Sequence, residues 1–335
     1  MNANKTKTVQ QPGSMRERIM KYFSFSAIIL LLLVLSLTQK NFLGKMNLSN
    51  LLRDTAPLLI MSSGMTMVLI LGSIDLSMGA ACSVSNVLYV KFLQAYGDQF
   101  ASPMTAGLLA LGISLLFGIL SGLAMGIIHV KLKVPSFIAS LGFMCIWESV
   151  ALLITQNPES VAKVFWPAIN WYKISFGVVG LPLIIALAII LLLYCVTRFT
   201  PLGKALFAIG GNERASRIAG LNVDASKILI FTLNGLLAAL AGVFLAANLK
   251  SSSPTIGSPF TLKIVASCAL GGTSLAGGKG SELGTILGVF TVAIIENGMN
   301  FIGVDAYWQN VVFGAFVLFA IAMTADRSTR GLIVK

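Results

Sequence analysis

Five polar side chains within or at the ends of long apolar runs are the residues with the clearest chemical potential. They are Asp75, Asn86, Glu148, Glu296 and Asn297. A carboxylate at the centre of a bilayer costs about 2.5–3.5 kcal/mol, so each acid needs a cavity or a partner. Together these residues are candidates for a polar pathway through a membrane. The alternative is that they lie near wetted span ends or serve a structural purpose. For Asp75 we favour structure, since it can bond freed backbone at a helix break.

Other kinds of chemistry find little support. The single histidine, His129, has no acidic, Ser or Cys partner at a recognisable spacing, so we predict no catalytic residue. The four cysteines fall in apolar segments without metal-like spacing, and we predict no metal site. A phosphate loop needs G-x-x-x-x-G-K-[ST], but the frame ending at Lys279 begins with Thr273 and continues with Gly280. We therefore expect no cofactor in this chain. If transport is active, a partner ATPase binds the ATP and Mg²⁺.

The stretch 198–227 is one of two long polar interruptions in the chain. Its basic residues outnumber its acids, which favours the cytoplasmic side. We predict a short helix inside it, capped by Asn212, with Glu213 and Arg217 at i,i+4 and Gly220 at its end. Asp224 is predicted to cap the membrane helix that follows. Such a helix is a surface suited to contact, although an ordinary basic loop is the alternative.

The composition sets the class of protein. The chain has 335 residues, of which 56% are hydrophobic and only 11% charged. Soluble domains are about one quarter charged, so this is a polytopic membrane protein. The net charge of +12 lies mainly in the connections between apolar runs. It reflects topology, and we expect a lipid partner and no nucleic acid.

The apolar runs predict an all-α transmembrane bundle of about ten spans. Residues 1–21 form a cytoplasmic tail, 22–325 the transmembrane domain, and 326–335 a second cytoplasmic tail. The second and eighth runs could be broken or re-entrant. The predicted runs are 22–38, 48–71, a third ending at Tyr96, 103–130, 134–154, 176–197, 227–249, 261–272, 283–300 and 308–325. In the fourth run, Gly118, Gly122 and Gly126 predict a closely packing helix face.

Two glycine-rich turns suggest an internal repeat. Gly72-x-x-Asp75-Leu-Ser-x-Gly79 aligns with Gly271-x-x-Ser274-Leu-Ala-x-Gly278, and each follows an apolar run. Paired interruptions of this kind mark the pathway in duplicated transporters. Chance recurrence in a glycine-rich chain is the alternative.

Several ordered motifs resemble one family over nearly the whole chain. They are ILGSIDLSMGA around 72–79, VPSFIASLG at 134–142, TPLGKALFAIGGNERASRIAGLNVDASKI at 200–228, ALGGTSLAGGKGSELGTILG at 269–288 and ENGMNFIGVDAYWQNVV at 296–312. The chain resembles the permease subunits of ribose-type ABC sugar importers, within the branched-chain amino acid, ribose, xylose and galactose permease family. It departs from the family at Arg214 and Ser216, and at Thr261 and Lys263, where acids are common in the family.

The resemblance implies a function and a set of partners. The permease would sit in the cytoplasmic (inner) membrane as a homodimer or as a heterodimer with a related permease. It would work with a pair of ATP-binding subunits and an extracytoplasmic sugar-binding protein. The coupling residues to the ATPase would be Gly211, Asn212, Glu213, Arg214, Ala215, Arg217 and Gly220. A permease for a nucleoside, an autoinducer sugar or a branched-chain amino acid, an ion-coupled secondary transporter and, with less support, a membrane enzyme remain alternatives.

Overall fold

The computed structural model describes residue 29 and residues 32–324. The two predicted tails and most of the first predicted span therefore lie outside the described residues. Residues 32–38 are helical. The helices that follow are α1 Lys45–Ile70, α2 Met78–Tyr96, α3 Pro103–Lys131, α4 Ser136–Ile154, α5 Trp166–Ile169, α6 Leu181–Phe199, α7 Pro201–Gly211, α8 Glu213–Ile218, α9 Val223–Leu249, α10 Phe260–Leu270, α11 Glu282–Phe301 and α12 Ala306–Thr324. The prediction of a helical bundle is confirmed.

Strands are few and very short in the described chain. They are β1 Glu159–Ser160, β2 Ser175–Phe176, β3 Val179–Gly180 and β4 Ser251–Ser252. β1 pairs antiparallel with β4, and β2 with β3. Both pairs belong to the connections between helices, so they fasten loops together and do not form a sheet layer.

Five of the described helices are long and apolar enough to cross a membrane. They are α3, α4, α6, α9 and α11. In contrast, α10 has 11 residues and spans only about 16 Å. This is about half of the ~30 Å hydrocarbon core. The suggestion that the eighth run is broken or re-entrant fits this length, whereas the second run forms one continuous helix through Pro57.

Helix α9 forms the centre of the bundle and packs against α1, α2 and α3. Its contact with α3 is made by small residues. A methyl group added at Gly118 or Gly122 would overlap the backbone of α9 near Gly235 or Phe231. The close-packing glycine face predicted for this helix is confirmed, and it lets the two backbones approach.

The connections between helices gather on two faces of the bundle. On one, here called the loop face, lie the turns 71–77 and 271–281 and the segments 132–135 and 200–222. The backbone N–H of Gly278 donates to the carbonyl of Ile70 at 2.8 Å, and that of Ile74 donates to the Ser136 hydroxyl at 3.2 Å.

The opposite face, here called the cap face, is built from residues 97–102, 155–180 and 250–259. Glu159 pairs with Ser252 through the β1–β4 ladder. Its carboxylate also forms an ion pair with the ammonium of Lys91, with Nζ and Oε1 2.5 Å apart. Lys250 lies over the ring of Trp166, 3.5 Å from its centroid. These links join two separate connections to each other and to α2.

The segment 198–227 differs from its prediction in two ways. It contains a helix of 11 residues, α7, before the predicted short helix α8. The prediction that Asp224 caps the next membrane helix is wrong. The cap of α9 is Asn222, whose Oδ1 accepts from the N–H of Ala225 at 3.0 Å. Asp224 lies in the first turn of α9, where a carboxylate still complements the helix dipole.

Candidate functional site

The short helix α8 begins and ends as its residues predict. The Oδ1 of Asn212 accepts from the backbone N–H of Ala215 at 2.9 Å. At the other end Gly220 adopts φ +83°. The N–H of Leu221 then donates to the carbonyl of Ser216 at 3.1 Å. This is the left-handed helix ending for which glycine is favoured.

Ion pairs hold α8 against the start of α9. The ammonium of Lys227 lies 2.8 Å from Oε2 of Glu213, and Arg217 lies 2.7 Å from Asp224. Arg217 also approaches Glu213 at 3.5 Å, the predicted i,i+4 pair. Partial burial raises the pKa of Glu213, but the hydrogen bonds and charges of Lys227 and Arg217 outweigh it. The pKa of this carboxyl therefore lies below its ordinary value.

The outer surface of α8 is exposed and chemically mixed. Gly211, Arg214 and Ala215 are exposed, whereas Ser216 is buried against the protein. Ile218 is 80% exposed and lies among charged neighbours. It offers a single apolar side chain that a partner could bury, and not a contiguous apolar patch. The sequence reasoning passed over Ile218, although an isoleucine inside a basic stretch was a readable signal.

The turns after α1 and α10 have the same backbone geometry. Gly72 has φ +80° and Gly272 has φ +83°. In each turn, the next N–H donates back into the helix: Ser73 to Val68 at 3.1 Å, and Thr273 to Cys268 at 3.0 Å. The equivalent positions are 200 residues apart, so Gly72 matches Gly272. The predicted match of Gly72 with Gly271 is therefore off by one residue.

Side chains complete both turns in the predicted register. Asp75 Oδ1 accepts from the N–H of Ser77 at 2.9 Å, and Ser274 Oγ accepts from the N–H of Ala276 at 3.2 Å. These two acceptors are 199 residues apart, whereas the left-handed glycines are 200 apart, so the second turn has one residue fewer between its glycine and its acceptor. The likeness of the two turns supports the proposed internal repeat.

Asp75 and Asn86 are buried and fully engaged with neighbouring backbone and side chains. Asp75 Oδ2 accepts from the Asn234 amide at 2.9 Å, in addition to its bonds from Ser77. The Asn86 amide donates to the carbonyl of Gly242, and its oxygen accepts from the N–H of Ser253 at 2.9 Å. These contacts tie α2 to α9, which agrees with the structural role favoured for Asp75.

The other three pathway candidates lie nearer the cap face, each with its own partner. Glu296 pairs with Lys263 at 2.5 Å, and the Lys263 side chain is only 11% exposed. Asn297 exchanges two hydrogen bonds with Asn47 of α1. Glu148 accepts from the Ser258 hydroxyl at 3.4 Å. Ser258 and Lys263 flank the start of α10, so this segment lies between Glu148 and Glu296.

Two features of this polar interior were missed by sequence reasoning. Lys263 was noted only as a departure from the family, and its partner Glu296 lies 33 residues further along the chain. Glu282, the first residue of α11, is 1% exposed, and both its carboxylate oxygens lack a hydrogen-bond partner within the described chain. A single acid at the start of an apolar run carried no signal of such deep burial.

A bundle with five described helices long and apolar enough to cross a membrane is the architecture of an integral membrane protein. The family described as branched-chain amino acid transport system / permease component matches residues 47–321. The chain belongs to this family.

Named relatives cover almost the whole chain. The ribose import permease protein RbsC of Escherichia coli K12 is 34% identical over 307 residues, which is 90% of this chain and 93% of that protein. RbsC of Bacillus subtilis strain 168 is 32% identical over 91% of this chain and 92% of its own length. The galactose/methyl galactoside import permease protein MglC of E. coli K12 is 29% identical over 91% and 94%.

Proposed function

We propose that this chain is the membrane permease subunit of an ABC importer for a monosaccharide, with ribose the first sugar to test. The similarity to ribose import permeases over about nine tenths of both chains carries this proposal. The similarity to a galactose permease keeps the sugar itself open. The chain would be a transport component, and ATP hydrolysis would belong to a partner.

The proposed topology has ten spans, with the loop face in the cytoplasm. Successive connections alternate between the loop face and the cap face, which supports one crossing per main helix. The loop-face connections are rich in basic residues, as cytoplasmic connections are. They include Lys131, Lys133, Lys204, Arg214, Arg217 and Lys279. Both termini would then be cytoplasmic, and the membrane would be the inner one.

The proposed partners follow the two faces. A pair of ATP-binding subunits, which would bind the ATP and Mg²⁺, would dock on α8 of two permease subunits, identical or related. An extracytoplasmic sugar-binding protein would meet the cap face. The coupling residues would be Gly211, Asn212, Glu213, Arg214, Ala215, Arg217 and Gly220. Exposure of most of α8, and its bracing by Lys227, support a contact that must transmit force.

An ion-coupled secondary transporter has less support. Such a protein needs intramembrane acids free to take up and release an ion. Asp75 accepts three hydrogen bonds, and Glu296 is paired with Lys263. A permease for another small solute is the closer alternative, because the family description itself includes amino acid transport.

Uptake into proteoliposomes tests the proposal. The permease would be reconstituted with a candidate partner ATPase and a candidate sugar-binding protein, and labelled ribose uptake would be measured with and without enclosed ATP. We expect uptake that needs ATP and both partners, and competition with galactose and leucine would report the solute class. Uptake driven by a proton or sodium gradient without ATP would contradict the proposal.

A further inference from the structure

Three backbone segments meet on the loop face at a place we call the glycine junction. They are the end of α1 at 70–72, Gly210 near the end of α7, and the pair Gly277 and Gly278 before α11. The N–H of Gly278 donates to the carbonyl of Ile70 at 2.8 Å. This bond satisfies a carbonyl at the end of α1, which has no partner within its own helix.

The junction has no room for a side chain at Gly210 or Gly277. A methyl group at Gly210 would overlap the carbonyl oxygen of Ile70 and lie 2.6 Å from the nitrogen of Gly278. One at Gly277 would lie 2.8 Å from both the Gly210 oxygen and the Gly72 Cα. Backbone therefore meets backbone directly, and a movement of one segment toward another displaces that neighbour.

The junction adjoins the exposed helix α8. Only Gly211 separates Gly210 from Asn212, the residue that caps α8. Lys227 and Asp224 fix the far side of α8 to α9 through Glu213 and Arg217. Because no flexible linker intervenes, a displacement of α8 is delivered to α7 and thus to the junction.

Each turn in the junction leads to a different part of the interior. The turn after α1 holds Asp75, which bonds Asn234 of α9, and continues into α2. The turn after α10 continues into α11, which carries Glu296. The partner of Glu296 is Lys263, which lies on α10. The junction is thus the place where the end of α1, the segment before α11 and the segment before α8 are in direct contact.

We propose that Gly210 is a positioning residue that transmits movement of α8 to both turns at once. The inference rests on the proposed function, because α8 moves in this way only when an ATPase docks on it. Docking on α8 then shifts the end of α1 and the segment before α11 together and reorients α2 and α11. The two halves of the permease respond as a unit.

Two matched pairs of variants test the transmission. Gly210→Ala fills the junction, whereas Gly112→Ala makes the same change on α3 at a position with open space around it. Gly277→Ala fills the junction from a residue at φ +88°, and Gly272→Ala bears similar backbone strain at φ +83° with open space. The second pair separates the effect of crowding from the effect of backbone strain. It also tests the proposal if the Gly210→Ala protein fails to accumulate in the membrane.

The readout is the number of ribose molecules imported per ATP hydrolysed by the reconstituted complex. Membrane abundance and the amount of ATPase that copurifies are measured beside it. We expect Gly210→Ala to lower this ratio about tenfold while the ATPase remains bound. Gly112→Ala should leave it unchanged, and Gly277→Ala should lower it more than Gly272→Ala.

Two results would overturn the proposal. One is an unchanged ratio in Gly210→Ala at normal abundance. The other is an equal loss in Gly277→Ala and Gly272→Ala, which would assign the effect to strain. A failure of the proposed function is distinguishable, because the wild-type permease itself would then retain no ATPase and import no ribose, and both proposals would fall.

Discussion

The ammonium of Lys227 lies 2.8 Å from the carboxylate of Glu213 and joins α8 to the first turns of α9. Lys227 is largely buried, with 11% of its side chain exposed, while Glu213 is 46% exposed. The pair therefore works at the boundary between the protein and solvent, where ion pairs contribute modestly. Its main effect is to fix the direction in which α8 points.

Removing this brace should loosen α8 more than it destabilises the whole protein. We expect a double-mutant cycle of Glu213→Gln and Lys227→Met to give a coupling of about 0.5 kcal/mol in thermal unfolding. Hydrogen exchange in 212–222 should accelerate in both single variants. Exchange that stays as slow as in the wild type would show that the pair does not hold α8.

The same pair predicts a pH dependence. The pKa of Glu213 is lowered from 4.5 in the folded protein. Its contribution is therefore fully present above pH 4.5 and is lost as the pH falls through the lowered value. Protection of 212–222 should stay constant between about pH 5 and 8 after correction for intrinsic exchange. It should not weaken as the pH rises within this range.

Ile218 should be an apolar anchor for the ATPase. Burial of its exposed side chain in a partner contributes about 1–2 kcal/mol, so Ile218→Ala should weaken ATPase binding roughly tenfold. Met46→Ala is the control, because Met46 is 81% exposed but belongs to the first turn of α1, away from the loop face. Equal binding by Ile218→Ala in a pull-down with purified ATPase would exclude this role.

Cysteine labelling should distinguish the two faces. On a background without native cysteines, Val164→Cys on the cap face should react with an impermeant thiol reagent in intact cells. In cells that produce the permease without its ATPase, Arg214→Cys on α8 should react only after the membrane is opened. Ser216 is unsuitable as a probe because it is 6% exposed. The reverse pattern of labelling would contradict both the orientation and the ten-span topology.

Lys263 and Glu296 should depend on each other. Replacing Lys263 with Met leaves a partly buried carboxylate unpaired, which costs about 3–5 kcal/mol where burial is complete and less here. We expect a clear fall in the unfolding temperature for Lys263→Met. The double variant Lys263→Met with Glu296→Leu should recover most of it. No recovery would indicate that Lys263 acts through other contacts, such as the rings of Phe260 and Phe313.

Glu148 should tolerate loss of charge but not loss of polarity. Its contact with the Ser258 hydroxyl is a hydrogen bond that a glutamine can also make. If Glu148 lines a polar wall, Glu148→Gln should keep most ribose uptake, whereas Glu148→Leu should lose it. Normal uptake by Glu148→Leu at equal abundance would remove this residue from the pathway. Loss of uptake in Glu148→Gln would favour ion coupling.

Local features of the fold were predictable from sequence. Asn212 caps α8 as predicted. The cap was predictable because an Asn side chain bonds an unpaired N–H of the first helical turn only three residues further along the chain. The glycine face of α3 was readable for the same reason, since its spacing lies within one helix. The error at Asp224 arose between neighbours, as Asn222 and Asp224 are both good caps and only the tertiary direction of α9 decides between them.

Long-range pairings could not be predicted. Gly278 and Ile70 are 208 positions apart, and neither sequence motif indicates that the two residues are in contact. The engagement of Asp75 with Asn234 and of Glu296 with Lys263 likewise depends on how helices pack. A sequence pattern states which residues need partners, but the arrangement of helices decides which partners they find.

The length and connections of α9 have a mechanical consequence. Its 27 residues form a rod of about 40 Å. Lys227 near its start bonds Glu213 of α8, and Lys250 directly after its end lies over Trp166 of the cap face. α9 thus reaches from the loop face to the cap face. In the proposed topology, a tilt of α9 would displace its contacts on both faces together, without a relay of loops between them.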